Sequence, residues 1–385
     1  MWPGDRPLSE ILNSYSSAAP LAEASTLSGD FYTDPRIFHL ERTTVFSRSW
    51  IAVGHTSEVA QPGQYITCQV GGESVLVVRG EDGILRAFFN VCRHHAAHVL
   101  TQPCGRVDRL KCPYHGWIYR LDGTFQSAPE LHGTHHFDPL QNGLVPVAVD
   151  TWEKFVFVHL DPNPKPLHSF LGGLVQSVAP LNFSRLHFYE RRSWDIACNW
   201  KVFVDNYLDG GYHIPFLHQG LSAILPFKSY TIETFDRVCL QKSPIDPSGG
   251  DAITVGVRRG EAQYYWLYPN LMLNWYQGYL DTNLVIPLSE NRMRVVFDFY
   301  FEDTSPAAEE RNRTSMAVSE RIQDEDHAIC ESVQRNLSSR AYGAGRLIAR
   351  REAGEHLFHR LLVADLRAAL TARAHLPIAP SNADG

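Results

Sequence analysis

Residues 199–218 read NWKVFVDNYLDGGYHIPFLH, and the rest of the chain is arranged around what this stretch can hold. It gathers two histidines, His213 and His218, and two carboxylates, Asp205 and Asp209, into one short aromatic-rich segment. Asp205 and Asp209 stand four apart. A helix through Leu208 would set them one turn above each other on one face, with His213 a further turn along. His213 and His218 stand five apart, a separation that a regular helix splays by about 140°. They converge only where the helix loosens, and Gly210, Gly211 and Pro215 permit such a break. Neutral imidazoles suit iron, zinc, copper or nickel, and two histidines with one carboxylate and open positions form a mononuclear non-haem Fe(II) site. Taken alone, the segment reads equally as two core histidines beside a helix.

The chain has 385 residues, 44% of them hydrophobic, enough for two domains with sizeable cores and too apolar for global disorder. Its net charge of -7 and the absence of a basic run argue against nucleic-acid binding and against anionic membrane surfaces. Small molecules or a carrier protein are the expected partners. Seven unevenly spaced cysteines do not make a secreted disulfide framework, so a reducing compartment is expected. The N-terminal MWPGDRPLSEILNSYSSAAP carries Asp5 and Glu10 and no apolar run of signal-peptide or membrane-spanning length. The expectation is a soluble, cytoplasmic protein.

Residues 1–45, with a helix expected around Pro35 to Val45, read as a leader that packs on a later domain. From Trp50 the texture changes to short β-rich runs, WIAVGH, QYITCQV, SVLVVRG and ILRAFFNV, separated by turn signals at Pro62-Gly63, Gly71-Gly72 and Asp82-Gly83. An all-β module over 46–162 follows, with a further hairpin signal at Asp122-Gly123. Inside it, Cys92-Arg93-His94 is followed after seventeen intervening residues by Cys112-Pro113-Tyr114-His115-Gly116-Trp117. Two cysteines and two histidines fit either a structural zinc site or a Rieske [2Fe–2S] centre. Zinc sites usually pair like with like, whereas each loop here offers one ligand of each kind, which suits a cluster of two chemically different irons. Pro113 and Gly116 would shape a tight loop whose N–H groups face the sulfides. His95 and His98 are neighbouring decoys, and Cys104 is expected to be a small buried residue.

Cys92-x-His94, Cys112-x-x-His115-Gly-Trp and then Asn199-Trp200-Lys201 with two histidines resemble the catalytic subunit of Rieske non-haem iron oxygenases, over roughly residues 45 to 370. The wording NVCRHHA, KCPYHGWIY, YPNLMLNWY and DTNLVIPL is most similar to the choline monooxygenase branch. The resemblance implies an α+β chain: an N-terminal all-β Rieske domain, then a catalytic domain over 163–375 with an antiparallel sheet covered by helices. Residues 376–385 read as a disordered tail. Cys92, His94, Cys112 and His115 would hold the cluster, and His213 and His218 an Fe(II) completed by a carboxylate from a late helix. Relatives form a homotrimer in which one subunit's cluster serves its neighbour's iron, an acid bridging ligand histidines that correspond here to His115 and His213. Many place that acid three residues before the first iron histidine, where this chain has Gly210. Asp209 is the expected substitute and Asp205 the runner-up, unless one of them only caps or neutralises Lys201.

Ser305-Pro306 opens that late helix, with Ser as N-cap and Pro at the first position. Its apolar stripe runs through Val318, Ile322, Ile329, Val333 and Leu337, and Asp326 falls on the stripe while Asp324 and Glu325 point elsewhere. A carboxylate on a buried face is costly unless paired or metal-bound, so Asp326 is the expected third ligand, a buried pair with an Arg being the alternative. Residues 261–288, EAQYYWLYPNLMLNWYQGYLDTNLVIPL, read as antiparallel strands dense in rings that are mostly core. Tyr265, Trp266, Trp275 and Tyr276 are the rings expected at the substrate, where Trp and Tyr would recognise a quaternary ammonium group by cation–π attraction. The expected reaction is hydroxylation of such a substrate, choline giving betaine aldehyde hydrate. Alternatives are oxygenation or demethylation of carnitine or a betaine, hydroxylation of an aromatic ring, and a Rieske carrier without catalysis. No nucleotide-binding glycine fingerprint is present, so electrons would come from a ferredoxin or flavin reductase.

Overall fold

Apolar runs of five to seven residues broken by glycine turns become strands. The computed structural model describes residues 6–246, 248–249 and 256–374, and the expected tail at 376–385 lies outside the described residues. The N-terminal strands are β1 (Ile51–His55), β2 (Gln64–Val70), β3 (Glu73–Arg79), β4 (Leu85–Phe89), β5 (Cys104–Arg106), β6 (Leu110–Lys111), β7 (Ile118–Tyr119), β8 (Phe125–Ser127), β9 (Pro146–Trp152) and β10 (Phe155–His159). Seven form one sheet in the order β1-β10-β9-β4-β3-β2-β5, and β6-β7-β8 form a small second sheet. The β7–β8 hairpin turns at Asp122-Gly123, where Gly123 has φ +83° and Asp122 Oδ1 accepts the Thr124 N–H at 2.9 Å. Cys104 departs from expectation: it lies exposed on the edge strand β5, paired to β2 along one side.

The C-terminal half is built on a second antiparallel sheet of β11 (His187–Ile196), β12 (Thr231–Phe235), β13 (Val238–Pro244), β14 (Glu261–Leu267), β15 (Leu271–Tyr276), β16 (Tyr279–Ser289) and β17 (Arg292–Phe301). Their order is β11-β17-β16-β15-β14-β13-β12. One face packs on the leader and helices, through residues such as Phe31, Trp200, Met272 and Phe358. The other packs on Leu167, Leu171, Leu174 and Phe183. With both faces covered, the strands lose the apolar/polar alternation that would mark one side.

Four helices frame the site: Trp200–Leu208, Ile214–Leu217, the long Glu309–Asn336 and the C-terminal Ala353–Ala374. The leader helix Pro35–Glu41 is capped by Asp34, which accepts the Arg36 N–H at 2.8 Å, and it delivers Glu41 beneath the first of the four. Lys201 Nζ meets Glu41 Oε1 at 2.6 Å with both side chains fully buried, and Trp200 Nε1 donates to the other oxygen at 2.8 Å. Burial alone would neutralise both ions, since it raises Glu41 and lowers Lys201. Each opposes that shift in the other. Such a pair is weak evidence of net stability, but breaking it leaves an uncompensated charge.

The long helix differs from its expected outline in two ways. Ser305 adopts the extended N-cap conformation without a side-chain cap bond, and its N–H goes to Asp303 instead. Val318 and Leu337 of the expected stripe are buried but Ile329 and Val333 stay exposed, because the covered face runs through Asn312, Ser315, Met316, Val318, Ser319, Gln323 and Cys330. That face closes a cavity with Ser319, Ile322, Gln323 and Asp326, so polar and apolar residues share it. Among the described residues no helix is long and apolar enough to cross a membrane.

Candidate functional site

The two Cys-His loops leave β4 and β6 and meet at one end of the N-terminal domain. Cys92 and Cys112 are buried while His94 and His115 are exposed. The histidine rings face each other through Nδ1 at 3.1 Å, and His94 stacks on Trp117 with centroids 4.8 Å apart. Gly116, at φ +72°, turns the second loop so that its N–H donates to the Cys112 carbonyl at 3.1 Å. Burial pushes the Cys112 thiol up, opposed by the backbone N–H groups of Tyr114 and His115 aimed at its sulfur. The Tyr119 hydroxyl accepts the Arg93 N–H at 3.0 Å and lies within hydrogen-bond reach of Cys92 Sγ at 3.3 Å. Tyr119 was not singled out by sequence, since nothing local links a strand tyrosine to a cysteine 27 residues away. Two thiols inside, two imidazoles outside and N–H donors around Cys112 Sγ fit a Rieske cluster, which Cys92 and Cys112 would hold from within and His94 and His115 from the surface side.

The second centre begins where the Trp200–Leu208 helix stops. Asn199 starts that helix by accepting the Lys201 N–H at 3.0 Å, and after Leu208 both Gly210 and Gly211 take φ +69°. A Cβ on Gly210 would lie 2.2 Å from the Arg351 carbonyl oxygen, so this turn is closed to other residues on two counts. The chain re-enters as Ile214–Leu217, with His213 just before it and His218 just after. Ligand atoms of His213, His218 and Asp326 all fall within 4.8 Å of one another. His218 Nε2 is 3.1 Å from Asp326 Oδ1, and His213 Nε2 is 4.0 Å from the same oxygen.

The opposite ring nitrogens are taken. Asp209 Oδ2 lies 2.6 Å from His213 Nδ1, and Glu325 Oε2 lies 2.5 Å from His218 Nδ1. Carboxylates there take the Nδ1 protons and leave both Nε2 atoms on the Asp326 side, where a metal would take their lone pairs. Burial works to lower His218, but the hydrogen bonds and charges of Asp326 and Glu325 outweigh it and raise its pKa. Asn206 Nδ2 donates to Asp326 Oδ1 at 2.7 Å and holds the third side chain. Two oriented imidazoles and one carboxylate on one side of a cavity are a fit for mononuclear iron. That cavity, of about 720 Å³ including its mouth, is lined by Tyr207, Tyr230, Tyr264 and Tyr276 together with Gln241, Asn274, Asp281 and Asn283.

Comparison with known proteins agrees with both centres. Residues 49–142 match the Rieske [2Fe-2S] domain, and residues 183–368 match the ring hydroxylating alpha subunit (catalytic domain). The chain is 36% identical to the chloroplastic choline monooxygenase of Arabidopsis thaliana over 375 residues, covering 94% of this chain and 87% of that protein. It belongs to the Rieske non-haem iron oxygenases. The carnitine monooxygenase oxygenase subunit of Escherichia coli (strain K12) is 33% identical, over 85% of this chain and 88% of its own. A quaternary ammonium Rieske monooxygenase solved with an inhibitor superimposes with a TM-score of 0.83 at 28% identity, covering 94% of this chain and 99% of that one. The cofactors of this Rieske oxygenase are a [2Fe–2S] cluster and mononuclear iron.

Several side chains of this oxygenase lie elsewhere than their spacing suggested. Asp205 is turned away from the iron set: it accepts from Tyr32 at 2.6 Å and sits 2.9 Å from His359 Nε2, with buried Glu355 alongside. It shares no face with Asp209, because the helix ends at Leu208 before Asp209 is reached. Neither aspartate is the ion partner of Lys201, whose place Glu41 takes. Glu325, expected to point elsewhere, is the partner of His218. Of the four expected substrate rings only Tyr276 lines the cavity. Tyr265 and Trp275 are on the other face of the sheet with Leu273 and Leu280. Trp266 has the right face but lies further along β14, against Phe358 at 5.5 Å. Tyr264 takes the position its neighbours were assigned, and its hydroxyl meets that of Tyr276 at 2.7 Å.

Proposed function

We propose that this chain is the oxygenase component of a monooxygenase that hydroxylates a quaternary ammonium substrate, with choline giving betaine aldehyde hydrate as the preferred reaction. Carnitine or a betaine is the second reading within the same class. The observation that supports it is the cavity beside His213, His218 and Asp326, lined by Tyr207, Tyr230, Tyr264 and Tyr276 and by the buried carboxylate Asp281, with Arg258 on the Tyr276 ring at 4.5 Å. Aromatic faces attract a cation that has shed its water, worth about 2 kcal/mol per desolvated contact. Asn206, Gln241, Asn274 and Asn283 set polar groups among the Phe203, Ile214, Leu221, Phe297 and Ile322 side chains of this wall, more than a plain aromatic-ring substrate would use.

In this reading His213, His218 and Asp326 hold the iron, and Cys92, Cys112, His94 and His115 hold the cluster. When bound, these groups supply oxygen activation and single-electron storage. Asp209 and Glu325 keep the ring nitrogens presented, and Asn206 keeps the Asp326 carboxylate turned to them. The substrate gains one oxygen atom at a C–H bond, and the second leaves as water with two electrons and two protons from outside. Those electrons are assigned to a ferredoxin or flavin reductase. His115 is exposed on the single chain, which supports a homotrimer in which Asp209 links it to a neighbour's His213. The seven cysteines are all free, in keeping with a reducing, cytoplasmic setting.

The test is anaerobic reconstitution with iron and sulfide, then substrate-dependent oxygen uptake with choline, carnitine, glycine betaine and a benzoate. Uptake is expected with quaternary amines, choline foremost, and none with benzoate. Failure of every quaternary amine, or uptake with benzoate alone, overturns the substrate class.

A further inference from the structure

Two buried amides on the cavity wall have donors that no described residue satisfies. Asn283 is 3% exposed and Gln323 is 1% exposed, and both line the cavity. Neither Asn283 Nδ2 nor Gln323 Nε2 finds a hydrogen-bond acceptor among the described residues. A buried amide without a partner costs about 1 to 3 kcal/mol, so a protein keeps one where something else completes it.

The surrounding bonds force the orientation of Asn283. Asn274 donates through Nδ2 to Asp281 Oδ1 at 2.6 Å and to Asn283 Oδ1 at 3.0 Å, and its own oxygen accepts from Tyr207 at 2.8 Å. A carboxylate only accepts, so Asn274 cannot be flipped. The Asn283 atom facing it must then be oxygen, and the NH2 group is turned the other way. Asp281 takes its bonds elsewhere, from Asn274 on one oxygen and from Tyr279 and Ser319 on the other. Ser319 thereby registers the long helix against β16. One turn further along the helix comes Gln323 and two residues further along β16 comes Asn283, advances of about 6 and 7 Å. Gln323 precedes Asp326 by three residues, so the two share a helix face.

We propose that Asn283 and Gln323 form an oxygen-reading subsite that donates two hydrogen bonds to a hydroxyl oxygen of the quaternary ammonium substrate and so sets which C–H bond lies at the iron. This rests on the substrate class given above and sharpens it to an alcohol. Two neutral donors satisfy the two lone pairs of a hydroxyl. No Lys or Arg stands among the described residues lining the cavity; buried Arg258 lies behind the wall against Tyr276 and Ser319, so a substrate carboxylate held by Asn283 and Gln323 would meet neutral amides only.

Calorimetric binding to the iron- and cluster-loaded protein, anaerobic and without reductant, tests this. The ligands are choline, propyltrimethylammonium, in which a methyl replaces the hydroxyl, and glycine betaine. The unsubstituted protein is expected to prefer choline over the propyl compound by at least about tenfold. Gln323→Met removes one donor at nearly constant shape. Asn283→Asp keeps the oxygen that Asn274 needs and turns the other donor into an acceptor. Each should cut the choline-to-propyl ratio by about threefold to tenfold, and Gln323→Met should leave propyl affinity within about threefold. A ratio unmoved in both variants, or glycine betaine binding tighter than choline, overturns the subsite while leaving the substrate class standing. Binding of no quaternary amine at all overturns both.

Discussion

Two pairs of histidines in this chain address their centres with different nitrogens. His94 and His115 turn Nδ1 inward at 3.1 Å and stand exposed. His213 and His218 turn Nε2 inward and have Nδ1 tied to Asp209 and Glu325. A carboxylate behind an imidazole fixes its tautomer and raises its basicity. An imidazole backed by solvent keeps its outer nitrogen for a partner that arrives from outside. The first pair is therefore made for exchange across a surface, and the second has its ligand directions settled inside a cleft.

The comparison breaks most visibly at the ligands themselves. Cys112→Ala should abolish the cluster's visible absorption and turnover together, whereas His213→Ala should keep the colour and bring oxygen uptake to background. Loss of colour in both would mean the centres are not separate. The iron centre also rests on a buried ion pair, so Glu41→Ala should cost about 3–5 kcal/mol in denaturant unfolding by stranding Lys201. An effect under 1 kcal/mol would show that Lys201 finds water instead. Asp209→Asn should leave both metals bound and slow turnover by about 10- to 100-fold. Asp205→Asn, in its separate network with Tyr32 and His359, should lower stability by about 1–3 kcal/mol and spare electron transfer. Reversed phenotypes would falsify the assignment of the bridge to Asp209. Smallest is Glu325→Gln, expected to weaken iron retention against a chelator by about tenfold with cluster absorption untouched.

The strands, the two Cys-His loops and the His213/His218 break were legible because each rests on local rules: glycine turns, ligand spacing and helix geometry. The choice between Asp205 and Asp209 was not, because it turns on the helix stopping at Leu208, and a stop one turn later would have aligned them. The substrate rings were misjudged for a physical reason. In EAQYYWLYP both faces of the strand are buried, so aromatic residues occur on each and period two carries no polarity mark. A mark did exist in the polar residues Gln241, Asn274, Asp281 and Asn283. The first three lie in one cross-strand row with Tyr264, and such residues in otherwise apolar strands signal a wetted face. Glu325 is not legible because helix periodicity puts it off the stripe, while its partner His218 comes from a distant part of the chain.

Gly210 and Gly211 make the spacing between Asp209 and His213 a property of the main chain, with two consecutive left-handed residues and no room for a side chain at the first. Gly211 lines the cavity, but neither residue has a side chain to offer a ligand. A saturation map of tolerance would nevertheless mark both as sensitive positions, and inserting or deleting a residue there would pull His213 off the Asp209 carboxylate.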